Sequence, residues 1–243
     1  SARGGKPVYG VYSTFVQRTY DQLQQDLCIN NNPITILTFA ASVWGMNDVT
    51  HLGIYDIPMM SNIPNLVYLA PTTYEEYIAM LDWSTEQREH PVAIRVPGAV
   101  IHGEKPTKDY GILNKYETVQ KGSGAAIIAL GTFFGMGKQA AELIEKKTGV
   151  KPTLINPVYI TGIDEELLES LKKDHKAVVT LEDGILDGGF GEKIARFYGD
   201  SDMRTVNFGL KKEFLDRYDA NEVLRQNGIT PEQIADRAAE LVK

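Results

Sequence analysis

Tyr12-Ser13-Thr14-Phe15-Val16-Gln17-Arg18-Thr19-Tyr20-Asp21-Gln22 follows directly on the short apolar run Pro7-Val8-Tyr9-Gly10-Val11. A run rich in β-formers that passes at once into Thr14, with Gln17 three residues on, predicts a strand whose end turns into a helix closed by a capping box. In a parallel α/β sheet, ligands bind in the crevice beyond the carboxyl ends of the strands, where loops meet helix N-termini. Tyr12, Phe15 and Arg18 fall at that junction, and the spacing of three sets Phe15 beside Arg18 on the first helical turn. A ring next to a cation suits a flat, partly anionic ligand. A second reading stays open: Val16, Tyr20, Leu23 and Leu27 form an apolar stripe at helical spacing, and Phe15 taken alone belongs as readily to the core.

Working outward, Asn30-Asn31-Asn32-Pro33 ends the first helix, and Ile34 to Phe39 reads as a buried parallel strand, completing a βαβ unit. Ala40 to Pro58 lacks periodicity and holds Trp44, Asn47, Asp48, His51 and Asp56; a long irregular segment of this kind is usually functional. A third strand runs over 63–71, a helix over 74–86 with Glu75 and Glu76 in its first turn, and a fourth strand over 91–97. Arg95 lies inside that strand, where a carboxylate partner is expected.

Residues 98 to about 120 lose apolar periodicity and read as a linker. Strands at 125–130, 153–158, 177–181 and 205–208 then alternate with helices at 135–147, 164–173 and 189–198, which predicts a second parallel α/β domain. Pro231 opens a terminal helix. Gly131-Thr132-Phe133-Phe134-Gly135-Met136-Gly137 lacks dinucleotide-loop spacing and is expected to be a tight turn. Asp187-Gly188-Gly189-Phe190-Gly191 enters a helix and offers free N–H groups to an anion, although a packing role is favoured.

At 243 residues the chain has room for two domains. Its 43% apolar and 23% charged residues are ordinary for a globular protein, with no apolar run able to span a bilayer. A net charge of -7 without a basic cluster argues against a nucleic-acid partner. The single cysteine, Cys28, excludes an internal disulfide and reads as a small core residue, which suits a reducing cytoplasm. The chain opens on Ser1 rather than Met, so an upstream segment is expected.

The residues at 12–22 resemble the matching segment of the 1-deoxy-D-xylulose-5-phosphate synthases, thiamine-diphosphate enzymes of the transketolase superfamily. Four later stretches resemble the same family in order and spacing: Thr50-His51-Leu52-Gly53-Ile54-Tyr55-Asp56, the strands around Ile63-Pro64-Asn65 and Ile94-Arg95-Val96-Pro97, and Glu182 to Gly191. The likeness covers nearly the whole chain and corresponds to the C-terminal half of those enzymes. It implies a pyrimidine-binding domain over 1–103, a linker over 104–120 and a transketolase C-terminal domain over 121–243. It further implies that Phe15 stacks on the thiamine aminopyrimidine, that Tyr12, Arg18 and His51 approach the substrates as catalytic groups, and that Asn47 joins them in substrate binding. Imidazole exchanges protons near neutral pH, as such a reaction needs.

The family's activating glutamate and its Gly-Asp-Gly…Asn metal motif have no match here. The resemblance therefore implies that Mg2+ and the diphosphate are held by an N-terminal domain, and that the chain alone gives no turnover. Phe39-Ala40 stands where the family has Asp-Arg, and Gly98 where it has a second arginine, the two residues expected to hold the acceptor phosphate. Three functions stay open: condensation of pyruvate with glyceraldehyde 3-phosphate, ketol transfer on another sugar by a split enzyme, or a non-catalytic partner-binding module. Small-molecule substrates and a homodimer, or pairing with a separate N-terminal half, are the expected partners.

Overall fold

The computed structural model describes Ser1 and residues 3–242. The first sheet is fully parallel: β1 (Val8–Tyr12), β2 (Thr35–Phe39), β3 (Val67–Leu69) and β4 (Val92–Arg95) stand in the order β1-β2-β4-β3. β2 and β4 are buried apolar runs, as parallel strands covered on both faces should be. β1 is an edge strand whose Val8, Tyr9 and Tyr12 remain exposed.

The helix after β1, α1, covers 16–28 and is irregular. It passes from a 3-10 turn (Val16–Thr19) through one α turn (Tyr20–Gln22) into a π-helical stretch (Leu23–Cys28). The capping box expected of Thr14 and Gln17 does not form. Phe15 takes the position before the first turn and makes no side-chain cap, while the Thr14 hydroxyl donates to the Thr50 carbonyl at 3.4 Å. Thr14 thus ties two loops together instead of ending a helix. Cys28 is buried, and burial pushes its thiol up to about 11.

A short helix α2 (Asp56–Met60) closes the segment after β2, and α3 (Tyr74–Glu86) carries a Thr73 side-chain cap at its start. Residues 98–116 contain no helix or strand, but Tyr110 in this segment is buried, beside Trp83 and under the Tyr159 hydroxyl.

The second sheet has the order β5-β7-β6-β8-β9: β5 (Glu117–Gln120), β6 (Gly124–Ala129), β7 (Thr153–Asn156), β8 (His175–Ile185) and β9 (Arg204–Leu210). β5 is antiparallel at the edge and the others are parallel. Helices α4 (Phe134–Thr148), α5 (Glu165–Leu171), α6 (Phe190–Tyr198), α7 (Ala220–Gln226) and α8 (Pro231–Val242) flank it. Gly131 is the left-handed residue of the turn before α4. At α6 the free N–H groups are already taken: Phe190 and Gly191 both donate to the buried Glu182 carboxylate at 2.8 Å, so the glycine-rich entry packs against its own strand.

The two sheets are joined through their backbones. Ala70 N–H donates to the Val158 carbonyl, Ile160 N–H to that of Tyr68, and Ile185 N–H to that of Ile54. Val43, Leu52 and Ile54, from the segment after β2, are buried in one cluster with Ala129, Phe133, Leu181 and Leu210 of the second sheet and its helices.

Candidate functional site at the carboxyl edge of the first sheet

β1 and β2 are adjacent and parallel, with Tyr12 opposite Phe39, so the loops leaving their carboxyl ends emerge side by side. Three local bonds shape the first loop. Ser13 N–H donates to the Phe39 carbonyl at 2.8 Å, Ser13 Oγ reaches the Ala40 carbonyl at 3.4 Å, and Phe15 N–H donates to Tyr12 at 2.8 Å.

The second loop turns sharply. Ala40 and Ser42 both hold left-handed backbone, at φ of 52° and 78°, which costs a non-glycine residue about 1 kcal/mol or more each. The turn is closed by Gly53, on which a Cβ would lie 2.2 Å from the Ala40 carbonyl oxygen, so only glycine permits this approach.

These loops bring together Tyr12, Phe15, Arg18 and His51. The His51 imidazole meets the Phe15 ring edge-on, with centroids 5.0 Å apart and planes at 73°; Tyr12 lies 6.1 Å from Phe15 and 6.3 Å from His51. The Arg18 guanidinium sits 5.4 Å from the Phe15 ring centroid, a cation–π contact. Phe15 is half-buried, with Tyr12 and Arg18 exposed. A ring enclosed by the core would be covered wholly by aliphatic side chains; this one is half-buried and has Tyr12, His51 and Arg18 as neighbours.

His51 is held from behind. Its Nδ1 lies 2.8 Å from Thr50 Oγ1, and its backbone N–H donates to the Asp48 backbone carbonyl at 2.9 Å. The Thr50 hydroxyl and amide both donate to Asp48, keeping that carboxyl below the usual carboxylate range. Asn47 faces elsewhere: its carbonyl accepts from Arg217 N–H at 2.6 Å and its Nδ2 donates to the Tyr218 carbonyl at 3.4 Å, placing it at the seam with the second domain.

Beneath the loops lies a charged cluster. Arg95, last residue of β4, donates through Nε to Asp56 at 2.8 Å and through Nη1 to Asp183 of β8. Its Nη2 approaches the Gly53 carbonyl at 3.4 Å, two residues from His51. All three side chains are buried. Burial opposes the guanidinium charge, but Asp183 and then Asp56 outweigh it and hold the pKa above its ordinary value. The Tyr68 hydroxyl also donates to Asp56 at 2.5 Å; burial and that carboxylate keep its proton on. Arg95 has the carboxylate partner expected of it; Asp56 and Asp183 lie in stretches the sequence singles out, but nothing local pairs either with Arg95 or brings Tyr68 to them.

The description "Transketolase, pyrimidine binding domain" fits residues 1–100, and "Transketolase, C-terminal domain" fits residues 114–234. The chain belongs to the transketolase family. Similar family members include the 1-deoxy-D-xylulose-5-phosphate synthases of Clostridium perfringens (strain SM101), 36% identical over all of this chain, and of Clostridium tetani, 34% identical over 98% of it. The chain spans only 39% of the length of either relative. Among solved structures, a split-gene transketolase described as an inactive β4 tetramer superposes with a TM-score of 0.85 at 22% identity, covering 100% of this chain and 79% of that one. A Pichia stipitis transketolase in complex with sedoheptulose 7-phosphate gives 0.77 at 19% identity, over 98% of this chain and 34% of that one. These likenesses concern the shared transketolase-family fold of two α/β domains in sequence.

For a thiamine group, the residues present fit its flat ring and not its diphosphate. The half-buried Phe15 ring and the Arg18 guanidinium beside it suit an aromatic ring with a neighbouring anion. Among the described residues, no group of three or more His, Cys, Asp and Glu side chains is arranged to hold a metal ion.

Proposed function

We propose that this chain supplies the pyrimidine-facing wall and the C-terminal domain of a thiamine-diphosphate-dependent transferase that joins pyruvate to glyceraldehyde 3-phosphate, with loss of CO2, to give 1-deoxy-D-xylulose 5-phosphate. The observation that carries this reading is the convergence of Tyr12, Phe15, Arg18 and His51 at one strand edge, in a chain whose relatives bear that enzyme's name. When bound, thiamine diphosphate supplies the carbanion chemistry.

In this reading Phe15 stacks against the aminopyrimidine and fixes its plane. Arg18, whose guanidinium lies 5.4 Å from the centroid of that ring, attracts the donor carboxylate. Tyr12 offers a hydroxyl to the donor or acceptor oxygen. His51, oriented by Thr50, gives a proton to the acceptor oxygen as its carbonyl becomes an alcohol. Mg2+ and the diphosphate are held by polypeptide outside this chain, so the chain alone is inactive and works as a homodimer or beside a separate N-terminal half, in the cytoplasm.

A second reading is ketol transfer on a different sugar by a split enzyme. Ala40 and Gly98 favour it: neither position offers a cation to an acceptor phosphate, and the loss of two charge-assisted contacts weakens acceptor binding by several kcal/mol, roughly 1.5–3 each. Product analysis separates the two. The chain is combined with the N-terminal part of the Clostridium perfringens relative and offered pyruvate or a ketose phosphate as donor. Deoxyxylulose phosphate from pyruvate supports the first reading, ketol transfer supports the second, and the absence of thiamine diphosphate binding removes both.

A further inference from the structure

The loop bearing His51 leaves the first sheet but is fastened to the second domain. Val43, Leu52 and Ile54 are buried among second-domain side chains. Over them runs the segment 211–219, which has no helix or strand of its own and links β9 to α7. Its contacts with 43–55 are closely spaced. The Tyr218 hydroxyl lies 3.1 Å from the Val43 carbonyl and 3.2 Å from that of Met46. Arg217 N–H donates to Asn47 at 2.6 Å, and Val49 N–H donates to Asp216 Oδ1 at 3.2 Å. The Tyr55 hydroxyl donates to the Glu213 carbonyl at 2.6 Å, and the Phe214 ring stands edge-on to Tyr55 at 6.0 Å. Arg217 holds left-handed backbone at φ 50°, a conformation that a non-glycine residue keeps only where its surroundings impose it.

We propose that this second-domain strap positions His51, with Tyr218 and Asp216 as its positioning residues. The physical case is one of degrees of freedom. The loop has two left-handed non-glycine residues at its root, Ala40 and Ser42, and closes on itself through the Ser42–Gly53 pair and the backbone bonds of Gly45 to Ser42 and His51 to Asp48, while the carbonyls of Val43 and Met46 have Tyr218 as their partner. Without the strap, residues 43–50 lose these outside partners and the imidazole loses its fixed edge against Phe15. The C-terminal domain thereby acts on the chemistry of the first without contributing a group to it. This rests on the proposed role of His51 only for its functional meaning; the positioning itself is read on the chain without any ligand.

The test compares Tyr218→Phe with Tyr198→Phe by amide hydrogen exchange and ring-to-ring nuclear Overhauser contacts. Tyr198 donates its hydroxyl to the Leu168 carbonyl at 2.7 Å, so the control loses the same kind of bond far from the loop. Tyr218→Phe is expected to speed exchange at the Val49 and His51 amides about tenfold and to weaken the Phe15–His51 contact, while Tyr198→Phe leaves both as in the parent. Asp216→Ala should reproduce the effect at Val49, and Asp216→Asn, which keeps an acceptor oxygen, should restore it. Unchanged exchange and an intact Phe15–His51 contact in both Tyr218→Phe and Asp216→Ala, or equal changes in Tyr198→Phe, would overturn the proposal. Because no cofactor enters the measurement, that failure would leave the thiamine reading untouched, and the converse also holds.

Discussion

Arg95 at the end of β4 and Asp183 in β8 form a buried ion pair that crosses from one domain to the other, with Asp56 closing the opposite side of the guanidinium. Removing the cation strands two carboxylates out of water. Arg95→Met is expected to lower unfolding stability by about 3–5 kcal/mol, the usual cost of breaking a buried pair from one side. Urea unfolding monitored by circular dichroism measures it. Arg95→Met combined with Asp56→Asn and Asp183→Asn should recover part of the loss, since the unpaired charges are then gone.

Glu182 gives a pH dependence of definite sign. Burial pushes its carboxyl up to about 7 from 4.5, against the opposing pull of the Gly191 and Phe190 amides. The folded state therefore binds the proton more tightly than the unfolded chain does. Its contribution to stability is complete below about 4.5 and is lost as the pH rises through about 7. The loss is of order 3 kcal/mol at 1.36 kcal/mol per pKa unit. Denaturation across pH 4 to 8 should show this slope in the parent and a flatter profile in Glu182→Gln.

Gly53 and Gly98 give opposite expectations for the same substitution. A Cβ on Gly53 meets the Ala40 carbonyl at 2.2 Å and Ser13 Oγ at 2.4 Å, whereas one on Gly98 meets nothing within 4 Å. Gly53→Ala should destabilise by roughly 2 kcal/mol or more through forced backbone movement. It should also disturb the Phe15–His51 contact. Gly98→Ala should change neither the melting temperature nor that contact. Thermal unfolding of the two variants beside the parent decides it.

The open space at Gly98 also tests the acceptor. A Cβ at Gly98 meets nothing within 4 Å, so Gly98→Arg starts its side chain in open space and adds a cation three residues beyond β4. In the reconstituted enzyme it should lower KM for a phosphorylated aldehyde about tenfold, the worth of one charge-assisted contact, with little change in kcat. Steady-state kinetics with phosphorylated and unphosphorylated acceptors measure the difference.

Much of this was legible in short stretches of sequence. The apolar run ending at Val11 marks β1, and the alternation after Gly124 marks a second α/β domain, because strand and helix periodicities are local. What was illegible depends on distance along the chain. Thr14 looked like a helix cap because its spacing to Gln17 is right, yet its hydroxyl is drawn to Thr50, a neighbour only through the pairing of β1 with β2. Arg95 called for a carboxylate, but Asp56 and Asp183 stand 39 and 88 residues away and no pattern links them. Nothing local marks the residues around Asp216: Asp216 meets Val49, and Arg217 meets Asn47, only once the two domains pack together. Tyr12, Phe15 and Arg18 stand out by their place at a strand end and His51 by the resemblance; that the four lie together is a property of the fold.

The central claim is that Phe15, Arg18 and His51 form one wall of a thiamine diphosphate pocket. Titration calorimetry of thiamine diphosphate with Mg2+ into the chain reconstituted with the N-terminal part of its clostridial relative tests it most directly. The account predicts binding by the parent, and affinity reduced tenfold or more in Phe15→Ala, whose stacking face is lost. Equal affinity in parent and Phe15→Ala, or no binding by a correctly assembled parent complex, would contradict it.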